Sequence, residues 1–185
     1  NIKFALLNKI NVICEKPICL KLSQLNELVK ISKIKKVKFF EMIQYKYHPV
    51  FLSLKRIIKK NLVGKIMQVE SEFKIPIKKT KDDFRFKKKY GGGALNDIGF
   101  YPISIMFTLF DSKKIKIIKT KAKKESEIDI KGNLFAENEN QILFKLAWGF
   151  KSLYKNYIKI KGTKGEIYVK FIFAKQVVQD AEIKL

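Results

Sequence analysis

The stretch NVICEKPICL, residues 11–20, decides the fold. The run Ile10–Cys14, apolar but for Asn11, reads as continuous rather than alternating, which is how strands of parallel sheets read. It stops at Glu15-Lys16-Pro17: an acid, a base, and a ring with no N–H to give a ladder. Open α/β sheets bind ligands in the crevice beyond the carboxyl ends of their strands. A lysine placed there can hold an anion or a substrate hydroxyl. A solvated turn would read the same way, and the tripeptide alone does not decide between the two.

Working outward, the pattern predicts an amphipathic helix over Leu22–Ile34, with Ser23 as N-cap and Leu25, Leu28, Val29 and Ser32 on its inner face. A strand over Lys38–Tyr45 follows, then a helix from Val50 to about Asn61 with Gly64 as its C-terminal cap. Strand, helix, strand, helix indicates a parallel α/β sheet. Beyond Gly64 the period changes to two. Strands are expected over Lys65–Ile77, Ile115–Lys121, Ile128–Glu137, Gln141–Phe150, Tyr157–Lys161 and Glu166–Phe173. A polar stretch, Lys78–Tyr90, and a helical segment from Gly91 to about Phe110 interrupt them. The fold class is α/β: a parallel part over 1–63, then an α+β domain over 64–185 with an open, largely antiparallel sheet and a helix covering one face.

Composition sets the limits of function. A chain that is 46% hydrophobic and 31% charged is globular and can build a core. No apolar run approaches the length a bilayer requires, so no membrane is expected. Cys14 and Cys19 are too few for a disulfide framework and read as buried thiols in a reducing cytoplasm. With a single histidine they make a poor metal site. The first residue is not methionine, so the chain reads as a fragment or processed product. The net charge of +23 raises nucleic acid as a partner. All but two of the 40 basic residues, Arg56 and Arg85, are lysine, however. Base readout favours the planar fork of arginine, so compositional bias explains the charge better and nucleic acid is disfavoured.

Several constellations are absent. No glycine precedes Gly64, so the glycine-rich turn that lets backbone approach a pyrophosphate is not in this chain. Nor is there a P-loop or a nucleophile elbow. What remains is GGGALNDIGFYPI, residues 91–103, which places Asp97 and Tyr101 four apart. On one helix those positions share a face, although Pro102 argues for a short turn feeding a second helix. A carboxylate, a phenol and a lysine suit hydroxyl proton transfer, because a nearby ammonium lowers a phenol's pKa from about 10. Taken alone, the simpler reading is Tyr101 as a core-edge aromatic and Asp97 as a helix-start acid. His48 in QYKYHP, residues 44–49, reads as structural, at a helix-start turn.

Taken in order, NKINVICEKP, QYKYHP, LVGKI, FRF, GGGALNDIGFYPI and IKGTKGEIYV resemble the glucose–fructose oxidoreductase / inositol dehydrogenase (Gfo/Idh/MocA) family over nearly the whole chain. The resemblance implies an NAD(P)-dependent oxidoreductase acting on a sugar, sugar nucleotide or cyclic polyol, with NAD or NADP as cofactor. It implies that Glu15, Lys16 and Pro17 lie beside the nicotinamide, with Arg85 close to the cofactor. Lys16, Asp97 and Tyr101 would be catalytic: Lys16 orienting substrate and cofactor, Asp97 orienting the substrate hydroxyl, Tyr101 shuttling its proton. Lys46 stands where the family commonly has arginine, which puts a ligand contact there in doubt.

The same resemblance implies that the chain begins inside the Rossmann domain, as its C-terminal remnant, and forms a homodimer or homotetramer through its C-terminal sheet. A non-catalytic relative, serving as a ligand-sensing or interaction module, is the alternative.

Overall fold

Strand β1 (Val12–Glu15) pairs in parallel with β2 (Phe39–Met42), setting Val12 against Phe39 and Glu15 against Met42. The computed structural model that shows this pairing describes residues 1–78, 80, 82–174 and 183–184. The crossover between the two strands is helix α2 (Leu22–Lys35), preceded by a short helix α1 (Ile2–Leu7) that periodicity did not reveal. Leu6 and Leu28 are the buried apolar side chains of this unit, Asn1–Gln44.

Local readings in this unit need correction. The α2 N-cap is Lys21, with no side-chain cap, rather than Ser23, which lies one residue inside the helix. Val29 is exposed, so the inner face runs through Leu25 and Leu28. Ile13 is 69% exposed, and the β1 side chains alternate between half-buried and exposed, which leaves one face of the strand pair uncovered within the unit. Cys14 and Cys19 are half-buried free thiols rather than buried ones.

The second unit is Tyr45–Leu185. Residues 45–63, which the sequence reading grouped with the parallel strands, pack here because the buried Tyr45 ring meets Phe51 edge-on at 5.2 Å. Helix α3 (Pro49–Lys59) starts as the His-Pro pair foretold: His48 is the N-cap, its Nδ1 accepts the Val50 N–H at 3.2 Å, and Pro49 takes the first helical position. The helix stops at Lys59, with Lys60 as its cap; Gly64 instead closes the following turn, its N–H bonding to the Asn61 carbonyl.

Seven strands form one sheet: β3 (Ile66–Lys74), β4 (Ile115–Glu125), β5 (Ile128–Asn138), β6 (Leu143–Gly149), β7 (Lys155–Gly162), β8 (Glu166–Lys170) and β9 (Ile183–Lys184). Their order is β4-β5-β6-β3-β7-β8-β9, with β3 parallel to β6 and the other pairs antiparallel. Period two is strict in the centre. Val69, Ile158, Ile160, Ile167 and Val169 are fully buried on one face, while Glu70, Glu72, Tyr157 and Tyr168 point to the other. Two short 3₁₀ turns, Phe84–Phe86 and Lys88–Tyr90, occupy the polar stretch, of which residues 79 and 81 lie outside the described residues.

The segment after the triple glycine lies on the buried face. A π-helical turn, Leu95–Gly99, runs into α4 (Phe100–Thr108), so the missing N–H of Pro102 falls in the first turn of α4. Two contacts fix the segment. Gly99 lies flat on the Trp148 indole, where a Cβ would come within 2.9 Å of the ring. The Asp129 carboxylate accepts the Leu95 N–H at 2.8 Å and the Trp148 Nε1–H at 3.3 Å. Gly93 passes beside that carboxylate at φ +124°, with no room for a Cβ.

Replacing Asp129 leaves the Leu95 amide and the indole N–H without their acceptor. Asp129→Ala is therefore expected to lower the unfolding free energy by about 1–3 kcal/mol, read by urea denaturation, and to speed hydrogen exchange at Leu95. Unchanged exchange at that amide would show that the carboxylate does not hold the segment.

Candidate functional site

The sequence-predicted site residues divide between the two units. In the first, Glu15 ends β1 with its side chain exposed, its carboxylate accepting the Gln44 side-chain amide at 3.1 Å. Lys16 is half-buried, the Lys16–Pro17 peptide is cis, and Pro17 is exposed. The turn is held by Glu41 on the neighbouring strand, whose Oε1 accepts the Ile18 N–H at 2.9 Å. The tripeptide thus sits at the carboxyl end of a parallel strand pair, the position the sequence reading required of a ligand-facing turn.

In the second unit, Asp97 and Tyr101 straddle the junction of the π turn and α4. The turn that carries Asp97 is thus wider than the ordinary helix from which a shared face was expected. Asp97 Oδ2 accepts the Arg85 Nε–H at 3.1 Å, and Arg85 Nη1 also pairs with Asp83 at 3.2 Å. Asp83 in turn caps the Phe84–Phe86 turn by accepting the Arg85 N–H at 2.9 Å. The structure therefore brings together two candidates, Arg85 and Asp97, that sequence reading assigned to different roles. Arg85 Nη2 has no protein partner among the described residues.

Tyr101 is half-buried in a cluster of rings. Phe73 meets it edge-on at 5.2 Å, Phe173 lies at 5.6 Å, Phe100 at 5.8 Å and Tyr45 at 6.0 Å. Tyr45 does more than pack. Its hydroxyl lies 2.5 Å from Ser104 Oγ and 2.9 Å from Thr108 Oγ1. Those two hydroxyls already donate to helix carbonyls, Ser104 to Tyr101 O and Thr108 to Ser104 O. The single Tyr45 proton goes to one of these two oxygens, and the hydroxyl holds α4 one turn after Tyr101. Burial pushes its pKa up, only partly offset by the Ser104 and Thr108 hydrogen bonds.

Sequence reasoning missed Tyr45, Asp129 and Trp148 as groups that position this segment. Tyr45 stood in the quoted QYKYHP motif, but nothing local distinguishes a clamp from a core aromatic. Asp129 and Trp148 come from strands 30 or more residues downstream, and only the sheet register puts them under the glycines. His48 is structural, as read, and Lys46 is half-buried in the 3₁₀ turn Gln44–Tyr47. No helix of the described residues is long and apolar enough to cross a membrane, and among them no three His, Cys, Asp or Glu side chains group as metal ligands.

The comparisons with known proteins agree with this architecture. The chain is 25% identical over 165 residues to a dTDP-3,4-didehydro-2,6-dideoxy-alpha-D-glucose 3-reductase from Actinomadura kijaniata, covering 88% of this chain and 49% of that protein. It is 25% identical over 160 residues to a trans-1,2-dihydrobenzene-1,2-diol dehydrogenase from Xenopus tropicalis, covering 86% and 48%. The chain spans about half the length of the curated relatives it matches. Two solved structures share the fold. A 3-ketoreductase from Actinomadura kijaniata in complex with NADP and TDP-benzene superposes with a TM-score of 0.88 at 22% identity, over 99% of this chain and 59% of that one. The aldose-aldose oxidoreductase from Caulobacter crescentus, complexed with glycerol, gives 0.90 at 17% identity, over 100% and 56%. Residues 51–168 match the GFO/IDH/MocA C-terminal domain, and the chain belongs to the Gfo/Idh/MocA family.

Proposed function

We propose that this chain serves an NAD(P)-dependent oxidoreductase moving a hydride between nicotinamide and a carbinol or keto carbon of a sugar, sugar nucleotide or cyclic polyol. One observation carries the reading: Asp97 and Tyr101 sit on a segment pinned to the sheet by Asp129 and Trp148, in a chain whose parallel strand also ends in Glu15-Lys16-Pro17. The relatives support it. The ketoreductase holds NADP and TDP-benzene, and it has been crystallised with one lysine, and with one tyrosine, substituted. We assign the first unit, Asn1–Gln44, to the dinucleotide-binding side and the second, Tyr45–Leu185, to substrate binding and oligomerisation.

The residues present fit one end of the cofactor. Glu15, Lys16 and Pro17, at the open carboxyl end of β1, suit the nicotinamide side, and Arg85 Nη2 is available to an anion. The glycine-rich pyrophosphate cradle is not among these 185 residues. When bound, the nicotinamide supplies or accepts the hydride. The chain's own groups handle proton and charge. The Tyr101 phenol oxygen takes the substrate's hydroxyl proton in the oxidative direction and returns it in the reductive one. The Lys16 ammonium stabilises the negative charge that develops on the substrate oxygen, a type of interaction that contributes about 3–4 kcal/mol elsewhere. Asp97 orients the substrate hydroxyl, its carboxylate held in place by Arg85.

We further place the protein in the cytoplasm, where the free Cys14 and Cys19 stay reduced. We assign it a homodimer or homotetramer through the β3–β7–β8 half of the open sheet, whose outward face carries Tyr157 and Tyr168 with rings 5.6 Å apart.

In the gene's full-length product, Tyr101→Phe is expected to lower kcat by about 10²–10⁴-fold while NADH and NADPH titrations, followed by fluorescence, stay unchanged. An unaltered kcat would remove the proton-shuttle role. Failure of the full-length product to bind either nucleotide would favour a non-catalytic, ligand-sensing relative. Sedimentation velocity is expected to show a dimer or tetramer that Tyr168→Arg converts to monomer; an unchanged mass would rule out assembly through this face.

A further inference from the structure

We propose that the outward face of the sheet, at its β4–β5–β6 corner, is a binding site for a small, multiply charged anion of the oligophosphate type. The lysines rise from the face opposite the one on which Trp148 supports Gly99, although Trp148 also borders the hollow, and the proposal does not depend on the catalytic reading. It also leaves the β3–β7–β8 half free for subunit pairing.

The strand register builds the site. Lys123 lies directly across from Lys131, Lys131 across from Gly149, and Gly149 across from Lys74. In the adjoining row Lys121 faces Asn133, which faces Ala147. Glycine and alanine in the middle leave a hollow of about 300 Å³, with Lys74, Lys121, Lys123, Lys131 and Asn133 around it.

Electrostatics leave the corner positive. Lys74, on its rim, shares Glu72 with Lys155, and farther along the face Lys159 meets Glu166 at 2.8 Å. Burial alone would raise the Glu72 pKa, but Lys74, Tyr157 and Lys155 together hold it below the usual carboxylate range, so its charge is already committed. Glu125, two residues from Lys123, is held by Lys151 at 2.6 Å. Among the described residues no carboxylate lies within ion-pair distance of Lys121, Lys123 or Lys131. Like charges directly opposite one another destabilise a strand pair. The Lys123–Lys131 juxtaposition is therefore a cost that a bound anion would relieve.

Chemistry narrows the ligand. Lysine is a compact point charge with rotating donors, suited to phosphate, whereas planar carboxylates are best matched by the arginine fork, which this corner lacks. Neighbouring ammonium groups rise from positions about 5 Å apart across the strands and about 7 Å apart along them. Linked phosphates can meet several at once. The hollow is at the lower end of ligand-site volumes, which favours a small molecule over a polymer.

The test is calorimetric titration of the full chain with tripolyphosphate in about 150 mM KCl, where diffuse surface charge is largely screened. Trp148, the sole tryptophan and part of the hollow's lining, gives a fluorescence readout of the same event. Saturable 1:1 binding, tighter than for monophosphate, is expected. Lys123→Gln with Lys131→Gln should weaken it by at least about tenfold, while Lys30→Gln with Lys33→Gln on α2 should not. The unliganded melting temperature of the first pair should hold or rise, since a repulsion has been removed, which separates lost binding from lost folding. Three results would overturn the proposal: no saturable binding, equal weakening by the α2 pair, or binding of an oligothymidylate without any response to tripolyphosphate.

Discussion

The carboxylate of Asp129 is the constraint on which the geometry of the candidate site rests. It bonds at once to the backbone of the segment above it, through Leu95, and to the indole that forms that segment's floor, Trp148. A two-ended acceptor of this kind fixes distance as well as orientation. The glycines follow from it. Gly93 must pass the carboxylate without a Cβ, and Gly99 must lie flat on the indole. The run GGGAL therefore reflects close approach of backbone to sheet rather than flexibility or phosphate binding.

Tyr101 is positioned by a second device, which uses aromatic packing and a buried hydroxyl relay. The rings of Phe73, Phe100 and Phe173 surround its phenol, and Tyr45 reaches past them to tie down Ser104 and Thr108. Because Ser104 donates to the carbonyl of Tyr101 itself, the clamp acts on the backbone that carries the phenol. An unmade hydrogen bond at a buried tyrosine hydroxyl is costly, so the relay selects one rotation of α4. That rigidity suits the proton transfer proposed for the phenol, which requires its oxygen to stay in place between turnovers.

Much of this was legible in the residues, and the part that was not has a physical reason. Period two from Ile128 to Lys170 gave four strands to within three residues at either end, because one face of a sheet is buried and the other is not. His-Pro at 48–49 gave a helix start, because both residues act locally. Pairing was not legible. That β3 runs parallel to β6 depends on contacts some seventy residues apart, and no window of sequence contains them. Ser23 was a sound candidate cap by type, yet the helix begins at Leu22, with Lys21 in the cap position. The expected partnership of Asp97 with Tyr101 assumed an ordinary helix. A π turn ends between them, and the carboxylate also meets Arg85, a residue twelve positions back that spacing rules do not reach.

The lysines show the same limit from the other side. As composition, forty basic residues with only two arginines read as bias, and that reading treats every lysine alike. The register sorts them. Lys74, Lys155 and Lys159 lie against carboxylates on the central strands, whereas Lys123 and Lys131 are set directly opposite one another at the edge. Register places Lys121, Lys123 and Lys131, none of them in an ion pair among the described residues, around a glycine and an alanine. The ligand that complements such a corner is one that brings its own negative charge to β4 and β5.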